Sequence, residues 1–82
     1  MKPIEIELLK RIIEDHIFAE YITQRIDLDD FDDELCNRIY KRVIDFLYQE
    51  KPFSYDDLFK CFIDDSQVYD AISQISNYVV GG

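Results

Sequence analysis

The residues best suited to chemistry are six carboxylates in the short acidic run from Asp27 to Glu34. Carboxylates at alternate positions can bind calcium, but an EF-hand loop also needs a glycine at its sixth position and a bidentate glutamate at its twelfth. Here Phe31 occupies the place of the third ligand, and no glycine is near. We therefore interpret the run as the charged N-terminus of a helix and expect no metal or other cofactor.

The single histidine, His16, lies at a predicted break between two helices and is interpreted as a cap or surface residue. No serine or cysteine is placed to use it as a general base. The sequence also has no glycine-rich phosphate loop, nucleophile elbow or HExxH motif. The two cysteines, Cys36 and Cys61, are interpreted as buried free thiols. We expect no catalysis and no small-molecule substrate.

The formal net charge of −9 limits the classes of partner. Nucleic acids and anionic membranes attract basic proteins, so the charge disfavours direct binding to either of them. No apolar run approaches the roughly 18 residues that span a bilayer, and no signal peptide is visible. A cytoplasmic protein with a protein partner is the expectation.

Two groups of side chains are candidates for that contact. Arg38, Lys41 and Arg42 form the one basic cluster, expected on the outer face of a helix where Glu34 can pair with Arg38. Six tyrosines are more than a small bundle can bury, and half-exposed tyrosines can anchor interfaces. An ordinary solvated helix surface is the alternative for both groups. The candidate partner-binding residues are Tyr48, Phe53, Tyr55, Arg38, Lys41 and Arg42.

Turn-forming residues are scarce, which favours long helices joined by short links. The candidate residues are therefore expected to lie on helices. The only glycines are residues 81 and 82, and Pro3 and Pro52 are the only prolines. Apolar residues at helical spacing predict five helices. The first spans about 3–14, the second follows the break at Asp15-His16 and runs to about Arg25, and the others span about 33–50, 55–63 and 66–79. Gly81 is expected to end the last helix. The fold class is all-α, a compact five-helix bundle that forms a single domain over residues 1–82.

The expected inward-facing side chains follow from the same periodicity. They include Leu8 and Phe18 in the first two helices, Phe46 and Leu47 in the third, and Val79 in the fifth. Ser54 and Asp57 form a capping-box pattern before the fourth helix. The wide apolar stripe of the third helix indicates that it is the central one.

The order of these elements resembles a known family. The pattern consists of Glu5-x-x-Leu8-Leu9-Lys10-x-Ile12-Ile13, Leu28-Asp29-Asp30-Phe31, Ile39-Tyr40-x-x-Val43-Ile44-Asp45-Phe46-Leu47, Lys51-Pro52-Phe53-Ser54 and Leu58-x-x-x-Phe62. It is similar to the helical-bundle subdomain of the helicase-binding C-terminal region of bacterial DnaG-type primases, over about residues 4–76. The resemblance implies a non-catalytic domain that binds the replicative helicase and couples priming to unwinding.

Two alternatives remain open at this point. The N-terminal domain of DnaB-type helicases is similar in fold, and it would imply a self-associating collar domain. The chain lacks the Pro-rich, Ala-Glu-containing opening usual there, and it also lacks the zinc-binding domain, polymerase domain and C-terminal helical hairpin of the primases. The third possibility is an inhibitor that mimics nucleic acid through its carboxylates, which the charge of −9 suggests.

Overall fold

Five α-helices with short connections make up residues 1–80, the part of the chain that the computed structural model describes. They are α1 (Pro3–Glu14), α2 (His16–Ile22), α3 (Glu34–Tyr48), α4 (Tyr55–Cys61) and α5 (Ser66–Asn77), with a 3₁₀ turn at Leu28–Asp30. No strand occurs within residues 1–80. The predicted all-α five-helix bundle is confirmed.

The core lies where α1, α3 and α5 pack against one another, with α2 on α1 and α4 on α5. All three central helices contribute side chains with no exposed surface, among them Leu9, Ile12, Ile39, Val43, Ile72 and Ile75. Burying one such side chain contributes about 1.5–3 kcal/mol. These residues therefore carry much of the stability of a small domain.

Aspartates begin three of the helices, because each carboxylate accepts hydrogen bonds from the free N–H groups of a first turn. Asp33 Oδ1 accepts from Leu35 N–H and Cys36 N–H, at 2.9 and 3.1 Å. Asp15 and Asp65 cap α2 and α5 in the same way. The interpretation of the acidic run as a helix N-terminus is thus confirmed for Asp33.

The second helix ends at Ile22, earlier than the predicted end near Arg25. The hydroxyl of Thr23 donates a hydrogen bond to the Ala19 carbonyl at 2.7 Å, and the backbone N–H groups of Arg25 and Ile26 both donate to the Ile22 carbonyl. Side-chain bonds of this kind compete with helix continuation. A compact turn follows α2 instead of another helical turn.

The fourth and fifth helices are also shorter than predicted, because α4 ends at Cys61 and α5 at Asn77. Asn77 donates a side-chain hydrogen bond to the Ser73 carbonyl, and Tyr78 is already extended. Val79 is 84% exposed, so the prediction that it faces the core is wrong. Gly81, the predicted helix end, lies outside the described residues.

Candidate protein-binding site

The apolar stripe of α3 continues beyond the core. Its buried residues are Cys36, Ile39, Tyr40 and Val43, and none of the residues from Ile44 to Tyr48 is buried. Phe46 and Leu47 are only partly covered, so the prediction that they are buried is wrong. Tyr48 is 89% exposed. The last turn of α3 therefore carries apolar and aromatic surface that the five helices leave uncovered.

The chain leaves α3 through a turn with an unusual backbone. Lys51 N–H donates to the Phe46 carbonyl at 3.1 Å, and Glu50 N–H donates to the Leu47 carbonyl at 3.0 Å. These two bonds define a Schellman motif, in which the residue at the Glu50 position is usually glycine. Glu50 has φ 57°, a left-handed conformation that costs a non-glycine residue about 1–2 kcal/mol. This motif ends α3 at Tyr48 instead of at the predicted residue 50.

This turn brings Phe53 back beside the end of α3. The Phe53 ring stacks on Phe46 with centroids 5.6 Å apart and planes 10° apart. Two adjoining hollows, of about 490 and 360 Å³, open next to it and share Leu47 and Glu20 in their linings. We call the apolar residues that line these hollows the α3 C-terminal surface: Ile44, Leu47, Tyr48, Pro52 and Phe53.

Carboxylates border this surface. Glu20 and Glu50 both line its hollows, and Glu20 lies 3.0 Å from His16 Nε2. His16 is the exposed first residue of α2, as predicted for a cap or surface residue. An apolar floor with an acidic border suits a partner that offers apolar side chains flanked by basic ones.

The six predicted partner-binding residues are found in three separate places. Tyr48 and Phe53 both belong to the α3 C-terminal surface. Arg38, Lys41 and Arg42 line a different depression, beside Phe62. Tyr55 is in neither of these two places.

The basic cluster is tied to α5 through Arg38. Arg38 Nη2 lies 2.6 Å from Asp65 Oδ2, so the predicted pairing of Arg38 with Glu34 is wrong. A sequence pattern identifies neighbours along one helix, whereas Asp65 is brought in by the packing of α5 on α3. The Val68 N–H and Arg38 together hold the pKa of Asp65 below its ordinary value.

Tyr55 connects two helices within the chain. Its hydroxyl donates a hydrogen bond to Glu14 Oε2, and Lys10 Nζ lies 2.8 Å from the same oxygen. Lys10 and then Tyr55 lower the pKa of Glu14, while burial and the Glu14 carboxylate raise the pKa of Tyr55. The Tyr55 hydroxyl is thus already engaged in holding α4 against α1.

A second apolar surface lies between α1 and α2, at residues that the helical periodicity predicts to face the core. Leu8 and Phe18 are only half-buried and line an open groove of about 540 Å³ together with Ile4 and Val80. We call these four residues the α1–α2 groove. A signal existed in the sequence, because Ile4 and Leu8 are one helical turn apart, and α1 has more apolar residues than one face can bury.

Other candidate chemistry is sparse in the described part of the chain. No three His, Cys, Asp or Glu side chains within residues 1–80 are grouped so that they could hold a metal ion. Cys36 is buried, but Cys61 is exposed, so the prediction of two buried thiols is wrong for Cys61, which ends a short helix at the surface. Between Met1 and Val80, no helix has both the length and the apolar character needed to cross a membrane.

Comparison of the chain with protein-family models, with curated proteins and with solved structures returned no match.

Proposed function

We propose that this chain is a non-catalytic protein-binding domain whose partner contacts the α3 C-terminal surface. The observation that carries the proposal is the uncovered last turn of α3, in which no residue is buried. Tyr48, at 89% exposure, is its most accessible large side chain. Exposed aromatic residues beside partly covered apolar ones are typical interface anchors.

The resemblance to the helicase-binding region of DnaG-type primases supports a specific partner, the hexameric replicative helicase. In that role the domain joins primase to helicase and so couples primer synthesis to unwinding. The segment Lys51-Pro52-Phe53-Ser54, which carries part of the resemblance, contributes Pro52 and Phe53 to the α3 C-terminal surface. One of the segments that carry the resemblance thus lies at the exposed surface.

A titration of ¹⁵N-labelled domain with an unlabelled bacterial replicative helicase tests the proposal. We expect signals of Leu47, Tyr48 and Phe53 to shift or broaden first. Replacing Tyr48 with alanine should weaken binding about tenfold or more, as expected of an interface anchor.

The matched control is Tyr69→Ala, because Tyr69 is also an exposed tyrosine, at 39%, but lies on α5. It should leave helicase binding unchanged. Absence of any spectral change at high helicase concentration contradicts the helicase as partner. Sedimentation of the domain alone examines the alternative, a helicase collar domain, because concentration-dependent rings or dimers favour the collar and a persistent monomer favours the adaptor.

A further inference from the structure

The α1–α2 groove is separate from the α3 C-terminal surface and has its own chemistry. Its floor consists of Ile4 and Leu8, which are one turn, about 6 Å, apart along α1. Phe18 of α2 and Val80 from the segment after α5 complete the lining. Ile4 is 72% exposed and Val80 is 55% exposed. The groove can therefore receive two apolar side chains spaced by one helical turn.

The positive charges beside the groove are already engaged within the chain. Lys10 Nζ lies 2.8 Å from Glu14 Oε2 and also donates a hydrogen bond to the Ser76 carbonyl at 3.1 Å. The guanidinium of Arg11 lies 3.9 Å from the centre of the Phe18 ring, a cation–π contact. Lys10 is thus paired with a carboxylate, whereas Arg11 keeps its charge. Three of the five charged side chains that line the groove are carboxylates, Glu7, Glu14 and Asp15, so its border is negative overall.

The negative charges beside the groove are less occupied. Glu7 and Asp15 both line it, and within residues 1–80 neither forms an ion pair. Glu7 accepts only a long hydrogen bond, of 3.4 Å, from the Tyr78 hydroxyl. Asp15 accepts one bond from the Phe18 N–H. The border of the groove thus offers carboxylates to a positively charged partner.

We propose that the α1–α2 groove binds a basic amphipathic helix of a partner protein. Two apolar side chains at positions i and i+4 enter between Ile4, Leu8, Phe18 and Val80, and flanking lysines or arginines pair with Glu7 and Asp15. This is recognition of a helix in a groove, with charge complementarity deciding which helix is accepted. It does not rest on the proposed contact with helicase, because it uses a different surface.

A second copy of this chain is a poorer occupant for electrostatic reasons. Each copy carries a formal charge of −9, and like charges brought together oppose association. An acidic peptide is disfavoured by the same sign. A positively charged partner is attracted both by the carboxylates at the groove border and by the net negative charge of the whole chain.

The test is an NMR titration of the ¹⁵N-labelled full chain with a designed helical peptide that has leucines at i and i+4 and lysines around them. A second peptide keeps the leucines and has glutamates in place of the lysines. We expect the basic peptide to shift the signals of Ile4, Leu8, Phe18 and Val80, and we expect the shifts to weaken with added salt. The acidic peptide should produce no such shifts.

Two matched double variants separate specific docking from general attraction to an acidic protein. Ile4→Ser with Val80→Ser should raise the dissociation constant about tenfold, because it removes apolar contact area. Ile63→Ser with Val79→Ser makes the same exchanges at residues that are 70% and 84% exposed and do not line the groove. This control should bind within about twofold of the unaltered chain, because it keeps every groove contact.

Equal binding of both peptides overturns the proposal. Shifts that map to the α3 C-terminal surface, equal weakening by the two double variants, or no shifts at millimolar peptide overturn it as well. A dimer in sedimentation that the Ile4 and Val80 exchanges abolish also overturns it, in favour of a second copy as the occupant.

Discussion

The two halves of α3 are similar in composition and differ in what covers them. Tyr40, in the first half, has no exposed surface, donates a hydrogen bond to the Ile26 carbonyl at 2.8 Å and lies 4.7 Å from the Phe31 ring. Tyr48, in the second half, is 89% exposed. Packing by α1 and α5 completes the burial of α3 only as far as Val43. The same helical stripe thus serves stability in one half and offers a contact surface in the other.

The largest difference in stability is expected when one large side chain in each half of α3 is replaced by alanine. Ile39→Ala should lower the free energy of unfolding by about 2–5 kcal/mol, because it leaves a cavity in the core. Tyr48→Ala should change it by less than about 0.5 kcal/mol, as is usual for exposed positions. Urea unfolding followed by circular dichroism measures both. Similar losses from the two variants would falsify the division of α3 into two halves.

The tyrosine hydroxyls provide the next test. Tyr40→Phe should cost about 0.5–1.5 kcal/mol, because the part-buried Ile26 carbonyl loses its donor, whereas Tyr48→Phe should cost nothing measurable. Burial raises the pKa of Tyr40 to about 12. The folded state therefore holds this proton more tightly, and its contribution to stability is complete below about pH 10 and falls as the pH rises towards 12.

An alkaline unfolding series checks the sign of that pH dependence. Between about pH 10 and pH 12, stability should fall more steeply in the unaltered chain than in Tyr40→Phe, which has no hydroxyl to ionise. The Tyr48→Phe variant should follow the unaltered chain. If the free energy of unfolding falls equally steeply with pH with and without the Tyr40 hydroxyl, the raised pKa of Tyr40 is contradicted.

A smaller effect is expected where α3 ends. Glu50→Gly should raise the free energy of unfolding by about 0.5–1 kcal/mol, because glycine adopts the positive φ without steric cost. The neighbouring exchange Gln49→Gly is the control, since Gln49 has an ordinary φ of −81°. It should lower stability, because glycine loses more conformational freedom at a helical position. If both exchanges act in the same direction, the strain assigned to Glu50 is wrong.

The smallest effect concerns thiol reactivity and leaves stability at neutral pH unchanged. Burial, assisted by the Asp33 and Glu5 carboxylates, raises the pKa of Cys36 to about 12, and the thiolate is the reactive form. At about pH 8, a thiol reagent should therefore label the exposed Cys61 quickly and Cys36 only after unfolding. Cys61→Ser should abolish the fast phase. Fast labelling that persists in this variant contradicts the burial of Cys36 in the first half of α3.

The sequence was sufficient for the number and order of the helices. It was less informative about helix ends, because the side chains of Thr23 and Asn77 add hydrogen bonds to the carbonyls four residues earlier, which periodicity does not reveal. Periodicity also predicts which residues share a face, but not how far along that face the neighbouring helices reach. For this reason Leu47 and Leu8 were predicted as core and are instead partly exposed.

The sequence names six candidate partner-binding residues but does not show how the fold distributes them. Tyr48 and Phe53 line two adjoining hollows. The Tyr55 hydroxyl donates to Glu14 instead, and the basic cluster lines a different depression. These differences arise from contacts between residues far apart in the sequence. They depend on tertiary packing, which one-dimensional spacing does not encode.

The ion pair between Arg38 and Asp65 reduces the positive charge that the basic cluster can offer to a ligand. The Asp65 carboxylate is charged throughout the neutral pH range and keeps Arg38 occupied, and its lowered pKa extends this pairing towards more acidic solution. An anionic ligand that takes Arg38 must separate it from the carboxylate that also caps α5. Binding at this cluster is thereby thermodynamically linked to the integrity of a helix end. The charge readily available to an outside anion is that of Lys41 and Arg42, one positive charge fewer than the sequence suggests.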